Sequence, residues 1–102
     1  MGGDRIQIYS TKRFEWEVLV DGIAWDLTDA TVTLFLKAPD GTITENAATV
    51  DAPATDGVAY FDCAATTLDA EGGWTGWWKG VVGDIEEFSD VFSFRVYDPS
   101  KH

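Results

Sequence analysis

Apolar and polar residues alternate with a period of two along most of this chain. Phe14, Trp16, Val18 and Val20 fall on one face and Glu15, Glu17 and Leu19 on the other, which predicts a half-buried strand over 14–20. Asp21-Gly22 follows, two residues that tolerate positive φ, so a hairpin should return the chain over Ile23 to Trp25. Asp26-Leu27-Thr28-Asp29 reads as a corner. Over 31–37, Val32, Leu34 and Leu36 oppose Thr31, Thr33, Phe35 and Lys37. Ala38-Pro39-Asp40-Gly41 is a turn, with Pro presetting φ and Gly supplying a left-handed position. Thr42 to Val50 should return as one strand, followed by a loop from Asp51 to Asp56. Gly57 opens another strand, in which Val58 and Tyr60 oppose Ala59 and Phe61.

Thr66-Thr67-Leu68-Asp69-Ala70-Glu71 offers a hydroxyl cap followed by acids, so about one helical turn is expected over 64–71, ended by Gly72-Gly73. Trp74 to Val82 reads as a strand, Gly83-Asp84 as a tight turn, and Ile85 to Tyr97 as a last strand or strand pair with a break at Ser89-Asp90. Residues from Pro99 onward should fray. Seven to nine short strands separated by regular turns predict an all-β, antiparallel immunoglobulin-like β-sandwich, with a small barrel as the competing architecture. Residues 1–102 form one domain, its core spanning about 5–97 between frayed termini. The expected core is Phe14, Trp16, Val18, Val32, Leu34, Leu36, Val58, Tyr60, Trp74, Trp78, Phe92, Phe94 and Val96.

Charge narrows the function. The 102 residues carry 7 Lys+Arg and 18 Asp+Glu, a formal net charge of −11. Ordinary nucleic-acid binding needs cations that displace phosphate counterions, and an anionic membrane surface would repel this chain. No apolar run approaches the ~20 residues of a spanning helix. Met1-Gly2-Gly3-Asp4-Arg5 does not resemble a secretory leader, so a chain made in the cytoplasm and not secreted is expected. Cys63 is the only cysteine and His102 the only histidine. An intrachain disulfide, a thiolate zinc site, a histidine triad and a multi-histidine metal site are excluded within one chain.

Several of these segments together resemble a known family. Asp26-Leu27-Thr28, Ala30-Thr31-Val32-Thr33-Leu34 and Pro39-Asp40-Gly41-Thr42 resemble the N-terminal domain of phage baseplate upper proteins and related tail modules. Asp29 stands where that family usually has Gly. The likeness continues through Asp56-Gly57-Val58, Thr67-Leu68 and Gly73-Trp74 and closes at Phe92-Ser93-Phe94-Arg95-Val96, spanning roughly 14–97. The resemblance implies an immunoglobulin-like virion part in a tail, baseplate or head surface. It implies no catalytic residues.

The remaining chemistry lies in the aromatics and acids. Alternation places Trp74 and Trp78 inward and Trp77 outward, and likewise Phe35 and Leu19 outward. Leu19, Phe35 and Trp77 are therefore the candidate contact patch, since exposed apolar clusters mark interfaces. The same aromatics could stack on sugar rings, which makes a carbohydrate-binding module the alternative function. A plain structural role, covering a neighbouring side chain, stays open for each. The acids sit mostly at turns (Asp21, Asp40, Asp56, Asp84) or on outer faces (Glu15, Glu17), so no carboxyl pair signals catalysis and no enzyme is expected. Asp51 to Asp56 and the run Asp84, Glu86, Glu87, Asp90 could supply oxygens to calcium but match no EF-hand spacing, so no metal or cofactor is expected. An acidic inhibitor mimicking DNA is a third reading. Lys12, Arg13, Lys37, Lys79 and Arg95 interrupt the acid-rich face it would need. Cys63 reads as a small core or strand-end residue. The expected function is a non-enzymatic virion component, in contact with other phage structural proteins or with copies of itself.

Overall fold

The structure, a computed structural model, describes residues 4–101. The expected fraying of residues 1–3 and the lone His102 lie outside the described residues. The strands are β1 (Asp4–Gln7), β2 (Arg13–Glu17), β3 (Leu19–Val20), β4 (Ile23–Ala24), β5 (Thr31–Lys37), β6 (Ile43–Ala47), β7 (Thr49–Val50), β8 (Val58–Asp62), β9 (Gly72–Val82), β10 (Ile85–Phe88) and β11 (Phe92–Tyr97). They exceed the expected seven to nine because β3, β4 and β7 are two-residue pieces.

The larger sheet runs β1-β11-β9-β5-β6, and the smaller runs β2-β8-β7. All pairings are antiparallel except β1 with β11. β9 is long enough to take two neighbours on one edge: β11 along Gly72–Gly76 and β10 along Lys79–Val82. The break between them falls at Ser89-Asp90-Val91. There the Ser89 N–H donates to the Trp78 carbonyl at 3.0 Å, while the Trp78 N–H donates to Ser89 Oγ at 2.9 Å. The hydroxyl thus replaces a ladder carbonyl, and the predicted break has a physical cause.

The two sheets face each other as a sandwich. The Phe14 ring lies 5.3 Å from that of Phe94 and 5.8 Å from Phe92, and Trp16 stacks on Trp78 at 6.0 Å. Nine of the expected core residues are buried: Phe14, Val18, Val32, Leu34, Leu36, Trp74, Trp78, Phe94 and Val96. Trp16 and Phe92 are half-buried against them. The Trp74 indole N–H donates to the Ala70 carbonyl at 2.9 Å, so the buried ring leaves no polar atom unpaired.

The structure corrects the sequence reading in several places. In β8 the faces are inverted: Ala59 and Phe61 point to the core, and Val58 and Tyr60 point away. Register decides this, because Phe61 stands opposite Phe14 and Ala59 opposite Trp16, while Tyr60 stands opposite outward Glu15. The segment 14–20 does not run as one strand. Val18 ends the sheet, its N–H donating to Gly57 O at 2.7 Å and its carbonyl accepting from Trp25 N–H at 2.9 Å. Leu19 to Ala24 then forms a separate hairpin, leaving Val20 exposed, with Asp21 (φ 54°) and Gly22 (φ 80°) at its tip. The expected strand Thr42 to Val50 divides at Ala48, whose N–H turns to Val32 O, so β6 joins one sheet and β7 the other. Residues 64–71 form a turn and no helix, because the Thr67 hydroxyl accepts from the Ala64 N–H and closes the chain locally. Gly72-Gly73 consequently begins β9. The tail expected to fray makes a short 3-10 turn, Pro99–Lys101, with Asp98 accepting from Ser100 N and Oγ at 2.9 and 2.7 Å.

β1 had no sequence assignment, and its Ile6 enters the core with Leu27, Cys63 and Leu68. Cys63 is buried as expected, and desolvation pushes its thiol up to about 11, away from thiolate chemistry at neutral pH.

Candidate functional site

Cross-strand register builds the outer face of the larger sheet. Phe35 on β5 stands directly opposite Trp77 on β9, both pointing away from the core. Their rings stack at 5.4 Å with planes 8° apart, and both are half-buried. Glu45 on β6 is the other neighbour of Phe35, and Ile43 stands opposite Lys37 on the same face. Toward β10, Phe88 stands opposite Lys79, whose ammonium lies 5.9 Å from the Phe88 ring and 3.6 Å from Glu86. Val91, one residue before inward-facing Phe92, continues the band. Ile43, Phe88 and Val91 are each more than half exposed. The sequence reading missed these three. The register of the Pro39-Asp40-Gly41 hairpin, which sets Ile43 beside Lys37, is the signal that would have found the first.

Of the three candidate contact residues, the structure brings Phe35 and Trp77 together. Leu19 lies elsewhere, exposed on the β3–β4 hairpin, where it lines a cleft to which neither Phe35 nor Trp77 contributes. The cations also gather on the outer face. Lys37, Lys79 and Arg95 point outward from the larger sheet, and Arg5 stands opposite Arg95 with its guanidinium 5.1 Å from the Tyr97 ring. Only Glu45 and Glu86 oppose them among the outward residues of its described strands.

A second hollow of about 370 Å³ lies beside the inner side of β6, rimmed by Thr42, Thr44, Asn46, Thr67 and Asp69. Trp74 forms its floor but is only 3% exposed, so its ring presents no free flat face. Among the described residues, no group of three or more His, Cys, Asp or Glu side chains is placed to hold a metal ion.

On the outer face of the smaller sheet, Arg13 makes a two-pronged pair with Asp62, Nε to Oδ1 at 2.6 Å and Nη2 to Oδ2 at 3.0 Å, and lies over the Tyr60 ring at 4.0 Å. Hydrogen bonding from Arg13 holds the Asp62 carboxyl below the usual range. Asp26 is lowered by the Thr28 hydroxyl and N–H, and Asp40 by the Thr42 N–H. A carboxyl lowered by folding adds stability above its unfolded value of about 4 and loses it as pH falls through the folded value. The melting temperature of Asp62→Asn should therefore fall less steeply than that of the parent chain below about pH 4. Parallel acid limbs would remove Asp62 from the account.

No protein-family model matches the chain, and no curated protein does. Among solved structures, it is similar to the endo-beta-1,4-mannanase from Thermotoga petrophila, at 19% identity and a TM-score of 0.49. The match covers 96% of this chain and spans 18% of the mannanase's length.

Proposed function

We propose that this chain is a non-enzymatic structural module of a bacteriophage particle, in its tail, baseplate or head surface. It works through protein–protein contacts made by the outer face of the larger sheet. The observation that carries this reading is the stacked Phe35–Trp77 pair at the middle of that face, flanked by exposed apolar side chains and by lysines. The stacked pair stabilises the sheet in its own right, but exposed Phe88 and Ile43 beside it make an apolar band of the kind that marks interfaces, where aromatic anchors dominate contact energies. The immunoglobulin-like architecture belongs to the same proposal. β2-β8-β7 facing β11-β9-β5-β6 fits the order of the B-E-D and G-F-C-C′ strands of such domains. The phage assignment draws its support from the family resemblance, from the Asp26-Leu27-Thr28 corner to the Phe92–Val96 strand. The sugar-binding alternative would use the same Phe35 and Trp77; it is less well supported, because these rings stack on each other and are half-buried, and the polar-rimmed hollow by β6 has its tryptophan buried. The DNA-mimic reading is weakened by the four cations on one face.

Light scattering tests the proposal. The parent chain should form a defined oligomer at micromolar concentration, and Trp77→Ala should be monomeric while still unfolding cooperatively, its melting temperature lowered only by the lost stacking and the lost association. An oligomer that survives Trp77→Ala, or loss of the fold in that variant, would overturn the assignment. A monomeric parent would overturn self-assembly through this face.

A further inference from the structure

We propose that the open side of the sandwich along β2 receives an extended, cationic segment of a partner protein, added as a further strand. β2 is an edge strand, paired only with β8. The bonds Val18 N–H to Gly57 O (2.7 Å) and Cys63 N–H to Lys12 O (2.9 Å) set the phase of that ladder. Residues 12, 14, 16 and 18 bond toward β8, so the backbone N–H and C=O groups of Arg13, Glu15 and Glu17 aim at the open side. No strand among the described residues pairs there. Such a row of unpaired groups is a template for strand addition.

The edge borders a cleft. Between β2 and the β10–β11 break lies a hollow of about 460 Å³, with Trp16, Leu19 and Phe92 among its walls. A smaller hollow of about 280 Å³, reaching Ile6 and Lys12, shares Glu15, Trp78 and Phe92 with it, so the two adjoin along the edge. Trp16 and Phe92 are only half-buried, which leaves apolar surface for an inserted side chain.

Charge selects the occupant. Glu15, Glu17, Glu87 and Asp90 line the larger hollow, and no basic residue does. Glu15 and Glu17 point to the outer face of their sheet, while Phe14 and Trp16 point inward. A strand paired beside β2 would therefore set its outward side chains against two carboxylates and its inward ones against aromatics. An alternation of lysine or arginine with aliphatic residues fits both. A second copy of this edge fits poorly, since like carboxylates would meet.

The probe is a short capped peptide alternating lysine and valine, titrated into the isotope-labelled protein. The expected result is a saturable shift of the Glu15 and Glu17 amides, with slowed hydrogen exchange at both. Glu15→Lys/Glu17→Lys should bind roughly tenfold more weakly or worse, because charge-assisted contacts become repulsions. The same peptide N-methylated on its pairing amides should not bind, an arm that needs no protein variant. Trp77→Ala should bind it unchanged, which separates this site from the outer face. Equal binding of a glutamate–valine peptide, tolerance of N-methylation, shifts centred on Phe35 and Trp77, or no binding at millimolar peptide would each overturn the proposal.

Discussion

Leu34→Ala should destabilise the domain by about 2 to 5 kcal/mol, the range for deleting a buried leucine side chain and leaving a cavity. Leu34 has no solvent exposure and sits mid-strand in β5, opposite Trp78 on one side and Asn46 on the other. Its neighbours cannot easily collapse into the space. β9 is held from its other edge by both β10 and β11, and the Asn46 amide is tied to the Leu34 carbonyl at 3.1 Å. For a chain of this length each kcal/mol moves the melting temperature by about 4 to 8 °C, so the fall should be large enough to read in a single scan. Leu34→Met, which nearly conserves volume, should cost under about 1.5 kcal/mol. Thr33→Ala, on the outer face of the same strand, should change little. If Leu34→Ala and Thr33→Ala melted alike, the inward and outward faces of β5 would be wrongly assigned.

That face assignment was legible in the sequence because β5 alternates at every position but one: Val32, Leu34 and Leu36 stand against Thr31, Thr33 and Lys37, and Phe35 alone breaks the pattern. β8 shows where alternation fails. Val58-Ala59-Tyr60-Phe61 is apolar at every position, so period two gives no preference between its faces, and Val58 and Tyr60 were placed inward where the structure has Ala59 and Phe61. The answer lay in pairing between strands far apart in the chain, where Phe61 meets Phe14 and Tyr60 receives the Arg13 guanidinium. The same holds for Thr42 to Val50, which reads as one continuous strand. Its division at Ala48 depends on a hydrogen bond to Val32 on a different strand. The candidate patch divided along this line. Phe35 and Trp77 were each legible as outward residues, and their contact followed once β5 and β9 paired. Leu19 was outward too, but its strand left the sheet at Val18, a consequence of contacts with Gly57 and Trp25.

Gly57→Ala should cost about 2 to 5 kcal/mol, although it adds a single methyl group. Gly57 has φ 70°, where a residue with a Cβ is strained by about 1 to 2 kcal/mol. The methyl group would also lie 2.9 Å from both the Val18 and Trp25 carbonyl oxygens and 3.1 Å from the Trp25 nitrogen. All three are backbone atoms, and they are not free to move. The Val18 N–H donates to Gly57 O, the Trp25 N–H donates to Val18 O, and the Gly57 N–H donates to Ala54 O. Gly57 thus joins the end of β2, the return of the β3–β4 hairpin and the turn before β8 at one point. Relief of the overlap must shift one of these, and overpacking of this kind costs about 1 to 3 kcal/mol. Gly22→Ala supplies the control, with φ 80° and nothing within 4 Å of its added Cβ. It should lose only the conformational share. Urea unfolding of the two variants separates the contributions: a larger loss for Gly57→Ala measures the crowding at this junction, and equal losses would mean that the three segments do not close on Gly57.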